Sequence, residues 1–251
     1  MKTTASLLLG VALAGTLLAA RTARAVPLLL TNGDLEASNP ALITSDDLLH
    51  ASSTINSSAL PGWTIGGGSI DIVPTSYWQN TSGGYSVDLV GSTGIGSISQ
   101  TVTGLTAGDT YQLTFDFAAN PQNISGEGAS TKILQVTATN TDLSPTLFTG
   151  TTGTRTTSNM QYTHEILNFT ANSTTTTLTL AALMPTGLPA NFTPSNVWCG
   201  PVIDNLDLED VNGSVNDPPG GGTSPVPEPT TTLLIGAGVA LLALRKARLA
   251  G

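Results

Sequence analysis

The sequence predicts an all-β protein built as a single jelly-roll β-sandwich, and three observations carry that prediction. Apolar and polar residues alternate with period two along the middle of the chain. Clusters of Gly, Pro, Asn and Ser punctuate these runs. No segment between residues 26 and 216 shows a helical stripe. The abundant Thr suits half-exposed strands.

In chain order, the first candidate strand is "WTIGGGSIDIV", which starts at Trp63. "YSVDLV" sets Tyr85, Val87 and Leu89 against Ser86 and Asp88. "GSISQTV" follows, and "GLTAGDTY" reads as a turn into "YQLTFDFA". There Tyr111, Leu113, Phe115 and Phe117 share one face, and Gln112, Thr114 and Asp116 the other. "KILQVTAT" alternates through Leu134 and Val136, and "TTTTLTLAAL" through Leu178 and Leu180. "TLFTG", "MQYTHEILNF" and "GPVIDNLDLED" complete about ten strands without a repeat period.

The two ends read as addressing. Lys2 precedes an apolar stretch from Ala5 to Ala20, and Ala23 and Ala25 occupy the small-residue positions of an A-x-A cleavage site. Residues 1–25 are therefore expected to be a secretory signal peptide. The alternative, an uncleaved anchor, is disfavoured by the shortness of the apolar run. The sandwich is expected over residues 26–211 and a Gly/Pro/Ser-rich linker over 212–226.

Between Val26 and Val226 sixteen carboxylates face two strong bases, Lys132 and Arg155, for a net charge near −14. Such a surface repels nucleic acid and anionic lipid and favours cations or neutral polymers. The one cysteine, Cys199, cannot form an internal disulfide and reads as a small buried hydrophobe.

The C-terminal part, "PVPEPTTTLLIGAGVALLALRKAR", is apolar from Leu233 to Leu244 and basic afterwards. Segment 230–244 is short against the roughly 20 residues of a comfortable membrane span. Its following bases would hold that end in the cytoplasm. Pro227, Glu228 and Pro229, then Gly236 and Gly238, then the basic cluster, resemble the PEP-CTERM sorting signal over residues 227–251. That resemblance implies transient residence in the inner membrane, recognition at Pro-Glu-Pro by an exosortase-type processing enzyme, and delivery to the surface or exopolymer matrix of a bacterium.

The body has a second resemblance. "LTNGDLE", "LPGW", "GSIDIV", "GGYSVDLVG", "GSISQTVTGLTAGDTYQLTFDFAANP" and "CGPVIDNLDL" follow in the order found in the choice-of-anchor C domain and the related domain-of-unknown-function 642 proteins of plant cell walls. The resemblance covers roughly residues 28 to 210. It implies a galactose-binding-like jelly roll and association with extracellular polysaccharide. Unlike the cysteine-rich, usually two-domain plant proteins, this chain has one such domain and one cysteine.

Strict alternation in "GPVIDNLDLED" puts Asp204 on the apolar face with Val202, Leu206 and Leu208. A carboxylate there must be hydrogen-bonded, paired or metal-bound. Similar carbohydrate-binding jelly rolls hold a structural Ca2+ between first and last strands, which implies Asp34 or Glu36, together with Asp204, as ligands. The alternative has Asp204 capping a turn through backbone N–H groups.

Tyr77 and Trp78 in "PTSYWQN" are candidate sugar-stacking rings, with Asn80, Asp88 and Asn120 as polar contacts. Core or lid packing is the other reading of both rings, and of Trp63 and Trp198. Enzyme signatures are poor. "HEILN" lacks the second histidine of a zinc motif, and His164, alternating with Tyr162 and Ile166, reads as core-facing. "GGYSVDLVG" has Asp88 where a nucleophile elbow needs glycine. The expected function is non-catalytic association with polysaccharide. The alternatives are a purely structural coat component and an extracellular hydrolase using paired carboxylates.

Overall fold

Twelve strands and no helix make up the described residues of the computed structural model. These are residues 29–37, 39, 48–122, 131–186, 193 and 199–211. The signal segment with Ala23 and Ala25, Trp198, the linker, and the tail with Pro227, Glu228 and Pro229 lie outside them. Among the described residues no helix is long and apolar enough to cross a membrane.

The strands are β1 (Leu49–Ala51), β2 (Thr64–Gly67), β3 (Ile70–Pro74), β4 (Tyr85–Asp88), β5 (Val90–Gly91), β6 (Gly94–Thr103), β7 (Thr110–Ala119), β8 (Thr131–Ala138), β9 (Thr146–Thr151), β10 (Thr163–Thr170), β11 (Thr175–Thr186) and β12 (Pro201–Asp210). Sheet A has the order β1-β3-β4-β12-β7-β10, and sheet B the order β2-β6-β11-β8-β9, with β5 beside β6. All pairings are antiparallel. Successive strands switch repeatedly between the sheets, as a jelly-roll sandwich requires.

The expected alternation locates the core. Val87, Leu113, Phe115, Phe117, Ile203 and Leu208 of sheet A meet Ile98, Val102, Leu134, Val136, Leu178 and Leu180 of sheet B in one buried cluster. Phe115 of β7 stands edge-on to Phe148 of β9 with ring centroids 5.1 Å apart, one bridge between the sheets. Trp63 belongs to this core, and its Nε1–H donates to Asn32 O at 2.9 Å. Cys199 is buried, as expected.

The structure corrects three local expectations. "WTIGGGSIDIV" is two strands in different sheets, because the chain turns at Gly67, whose φ of 72° only glycine adopts readily. Its absent side chain also matters, since a Cβ there would lie 2.7 Å from Ile95 O.

In β12 the register slips between Asp204 and Asp207, with Asn205 left-handed at φ 52°. This β-bulge breaks the alternation. Leu206 and Leu208 face the main core, whereas Val202 faces the other side of sheet A. The third correction is His164, which is exposed on β10 while Phe169 of the same strand enters the core.

Candidate functional site

The outer face of sheet A is covered rather than bare. Val73, Trp78, Ala118, Met160 and Val202 form a small second core on it, with Leu48, Tyr77 and Tyr162 packed alongside. Strand register then sets a row of carboxylates beneath this cover. Asp71 of β3 lies directly opposite Asp88 of β4, and Asp204 of β12 opposite Asp116 of β7. All four are buried, Asp204 completely. Buried charge is tolerated only when its oxygens are occupied, and each of these is.

Asp204 accepts five hydrogen bonds. They come from the backbone N–H of Thr81 (2.7 Å), Ser82 (3.0 Å) and Asn205 (2.7 Å), and from the hydroxyls of Thr81 (3.0 Å) and Ser82 (2.7 Å). Burial still raises its pKa against these donors.

The two other predicted metal ligands reach the same region. Asp34 is exposed, and its carbonyl oxygen lies 3.5 Å from the Ser82 hydroxyl, whose proton goes to Asp204. Glu36 Oε1 accepts from Gly84 N–H at 2.6 Å and Tyr85 N–H at 3.3 Å. A Cβ at Gly83 would fall 1.8 Å from that same oxygen, so any side chain there would displace the Glu36 carboxylate.

As it stands, Asp204 is not a bare ligand for Ca2+. Both its oxygens, and Glu36 Oε1, meet N–H and O–H groups where a cation needs bare oxygens. Among the described residues no three acidic, His or Cys side chains form a metal-sized group. The bonds from Thr81 and Ser82 are those of the turn-capping alternative, made to a distant loop.

Four of the five predicted ligand contacts converge. Tyr77, Trp78, Asp88 and Asn120, together with Leu48, Asp71, Val73 and Gln122, line a small cavity of ≈ 30 Å³. That is room for about two waters. Trp78 is only 3% exposed, and its Nε1–H donates to Ser86 Oγ at 2.8 Å, so this ring is a lid and not a stacking platform. Tyr77 stands edge-on to it and is half-buried, its Oη accepting from Gln122 Nε2 at 2.6 Å. Asn80 is not in the lining; it holds the loop by accepting from Ser86 Oγ at 2.9 Å and donating to Val73 O at 3.3 Å.

Asp88 is the electrostatic centre of the pocket. It accepts from Asn120 Nδ2 at 2.6 Å, Val90 N–H at 2.9 Å and Gly200 N–H at 3.3 Å. Burial, with the charge of Asp71 adding to it, nevertheless pushes its pKa up to about 7. Burial likewise raises the Tyr162 phenol, which feels Asp204, Asp116 and Asp88.

Residues missed in the sequence complete the arrangement. His50 Nδ1 meets Asp71 Oδ1 at 2.6 Å, and His164 Nδ1 meets Asp116 Oδ1 at 2.8 Å. Asn205 donates to the other Asp116 oxygen at 3.1 Å. Both histidines therefore sit on edge strands of one sheet against buried aspartates. The signal for Asp71 was present in "SIDIV", whose alternation matches that of "YSVDLV". Only the pairing of the two segments brings the carboxylates together.

A two-sheet antiparallel sandwich, acidic beneath a small lid on one face, is the class these features define. The chain belongs to the family of proteins of unknown function DUF642, whose profile matches residues 28–209. Residues 225–248 match the PEP-CTERM protein-sorting motif. Halomucin of Haloquadratum walsbyi is 33% identical over 197 residues; the match takes in 78% of this chain and 2% of that much longer protein.

Among solved structures, the module TmCBM61 in complex with β-1,4-galactotriose aligns at 12% identity and a TM-score of 0.39, over 73% of this chain and 99% of that one. A family 35 carbohydrate-binding module from Clostridium thermocellum aligns at 18% identity and a TM-score of 0.36, over 58% and 90%.

Proposed function

We propose that the protein is exported, sorted through its tail by an exosortase-type enzyme, and held at the cell surface or in the exopolymer matrix. There its sandwich associates with extracellular polysaccharide without catalysing a reaction. The observation that carries this reading is the sorting motif at residues 225–248, directly behind a domain matched over residues 28–209.

On the sandwich, the pocket of Tyr77, Asp88, Asn120 and Gln122 offers polar groups beside a half-buried ring. Its size suits one hydroxyl of a polymer passing edge-on, since a space for about two waters does not take in a whole sugar ring. The same smallness argues against hydrolysis by Asp71 and Asp88, which are 6% and 1% exposed. It also favours the second reading, a structural coat component with no sugar site.

Two measurements test this. The full chain, produced in an exporting host, is applied to a panel of soluble polysaccharides. Saturable binding to one class is the expected outcome, and its response to Tyr77→Ala tells whether the pocket of sheet A carries the contact. Silence across the panel would favour the structural reading. Mass spectrometry of the mature protein should show loss of the tail, and replacing Glu228 by Ala should retain it.

A further inference from the structure

The opposite side of the sandwich carries a surface of different chemistry. The five principal strands of sheet B contain a single charged residue, Lys132, and it is fully buried. The strands of sheet A carry eight carboxylates and both histidines. Strand propensity accounts for threonine in sheet B. It does not account for this segregation, because both sheets come from one strongly acidic chain.

What faces outward across β2, β6, β11 and the near end of β8 is mainly hydroxyl, whereas Ile133, Gln135 and Leu147 face outward on the rest of β8 and on β9. Thr64, Ser99, Thr179 and Thr137 are direct cross-strand partners in a row over four strands. In the next row, the Oγ1 atoms of Thr101 and Thr177 lie 3.1 Å apart. Rows of this kind repeat at about 4.8 Å between strands and about 6.7 Å along them. Each threonine offers a donor, an acceptor and a methyl group. Its stiff χ1 leaves little rotamer freedom to lose on contact.

We propose that the outer face of sheet B is a docking surface for an extended neutral polysaccharide. The proposal rests on the polysaccharide reading above, but places the main contact away from the pocket of sheet A. A neutral polymer meets no ion here that must be desolvated. Its hydroxyl and C–H groups match a lattice of hydroxyls and methyls. A polyanion is repelled by the body, and a polycation is drawn to the acidic sheet. A folded protein partner would look for an apolar, aromatic centre; among the described residues of sheet B the one exposed large apolar side chain is Leu147, on the edge strand β9 and outside these rows. Individual contacts are weak, and the regular array lets many act on one chain.

The test uses regenerated cellulose as an insoluble neutral probe and the full chain in four forms. These are wild type, Thr177→Lys with Thr179→Lys, Thr101→Val with Thr177→Val, and Tyr77→Ala. Wild type and Tyr77→Ala should be retained alike. The lysine pair should lose about tenfold or more in retention. The valine pair removes hydroxyls at nearly constant shape, so it should also weaken retention if the lysine pair fails to fold.

Retention that survives both folded pairs would overturn the docking surface and leave the polysaccharide reading standing. Loss on Tyr77→Ala alone would return the contact to the pocket. No retention of wild type would overturn the surface; silence on the soluble panel as well would remove the broader reading.

Discussion

The two outer faces of this sandwich share strand type and a common core, yet they are built on opposite principles. Sheet A buries four of its eight strand carboxylates and therefore needs loops and neighbouring strands to satisfy them. Thr81 and Ser82 cross to Asp204; Asn120 and Gly200 close on Asp88; Asn205 and His164 hold Asp116. Sheet B exposes neutral hydroxyls that need no loop. An acidic face thus ties the connecting segments to the scaffold, while a hydroxyl face leaves its strands to tolerate change. Perturbations should separate the two faces in order of size.

The largest separation is expected at Asp204. Replacing it by Ala removes the acceptor for five donors in a buried site. The cost should be about 3–4 kcal/mol, read as a shift in the urea midpoint. A change under about 1 kcal/mol would show that the loop carrying Thr81 and Ser82 does not depend on sheet A.

Next is the pH response of Asp88. Its folded value of about 7 lies above the ordinary 3.8, so the folded protein keeps a proton that the unfolded chain releases first. The stability so conferred is full below about pH 4 and is lost as pH rises towards 7. Between pH 4 and 8 the wild type should lose up to a few kcal/mol more than Asp88→Asn. Parallel denaturation curves would mean that this carboxyl is not held buried beside Asp71.

A smaller effect belongs to Gly200→Ala. The new Cβ would fall 2.4 Å from Val90 Cγ2 and 2.5 Å from Asp88 Oδ1. Relief of that overlap should cost about 1–3 kcal/mol, and the shifted Asp88 should titrate differently by NMR.

Much of the fold was legible because each strand must bury one face, and period two records which. Tyr111, Leu113, Phe115 and Phe117 all reach the main core, as alternation requires. Alternation fails where the backbone itself changes the count. Asn205 in the β12 bulge moved Leu206 onto the core face, and the glycines after Ile65 sent one apparent strand into two sheets.

The pocket was partly legible for a related reason. Tyr77, Trp78, Asp88 and Asn120 stood out as chemistry on loops and strand ends. Asp71 and His50 join them only through register, a long-range property that no short window contains. His164 misled because Tyr162 and Ile166 looked like one core stripe, whereas Tyr162 packs on the second core just before the edge strand β10 begins. Ile166 is 55% exposed.

The smallest effect is the sharpest test of the contrast. Thr101→Val with Thr177→Val removes a hydroxyl contact of 3.1 Å on the exposed face of sheet B. Valine keeps the branched shape and the strand propensity. Both hydroxyls are open to water, so no buried donor is stranded. Folding stability should therefore stay within about 0.5 kcal/mol of wild type, even though cellulose retention falls. A folding loss above about 1 kcal/mol would mean that the hydroxyl lattice braces the sheet. Its regularity would then belong to the fold and not to a partner.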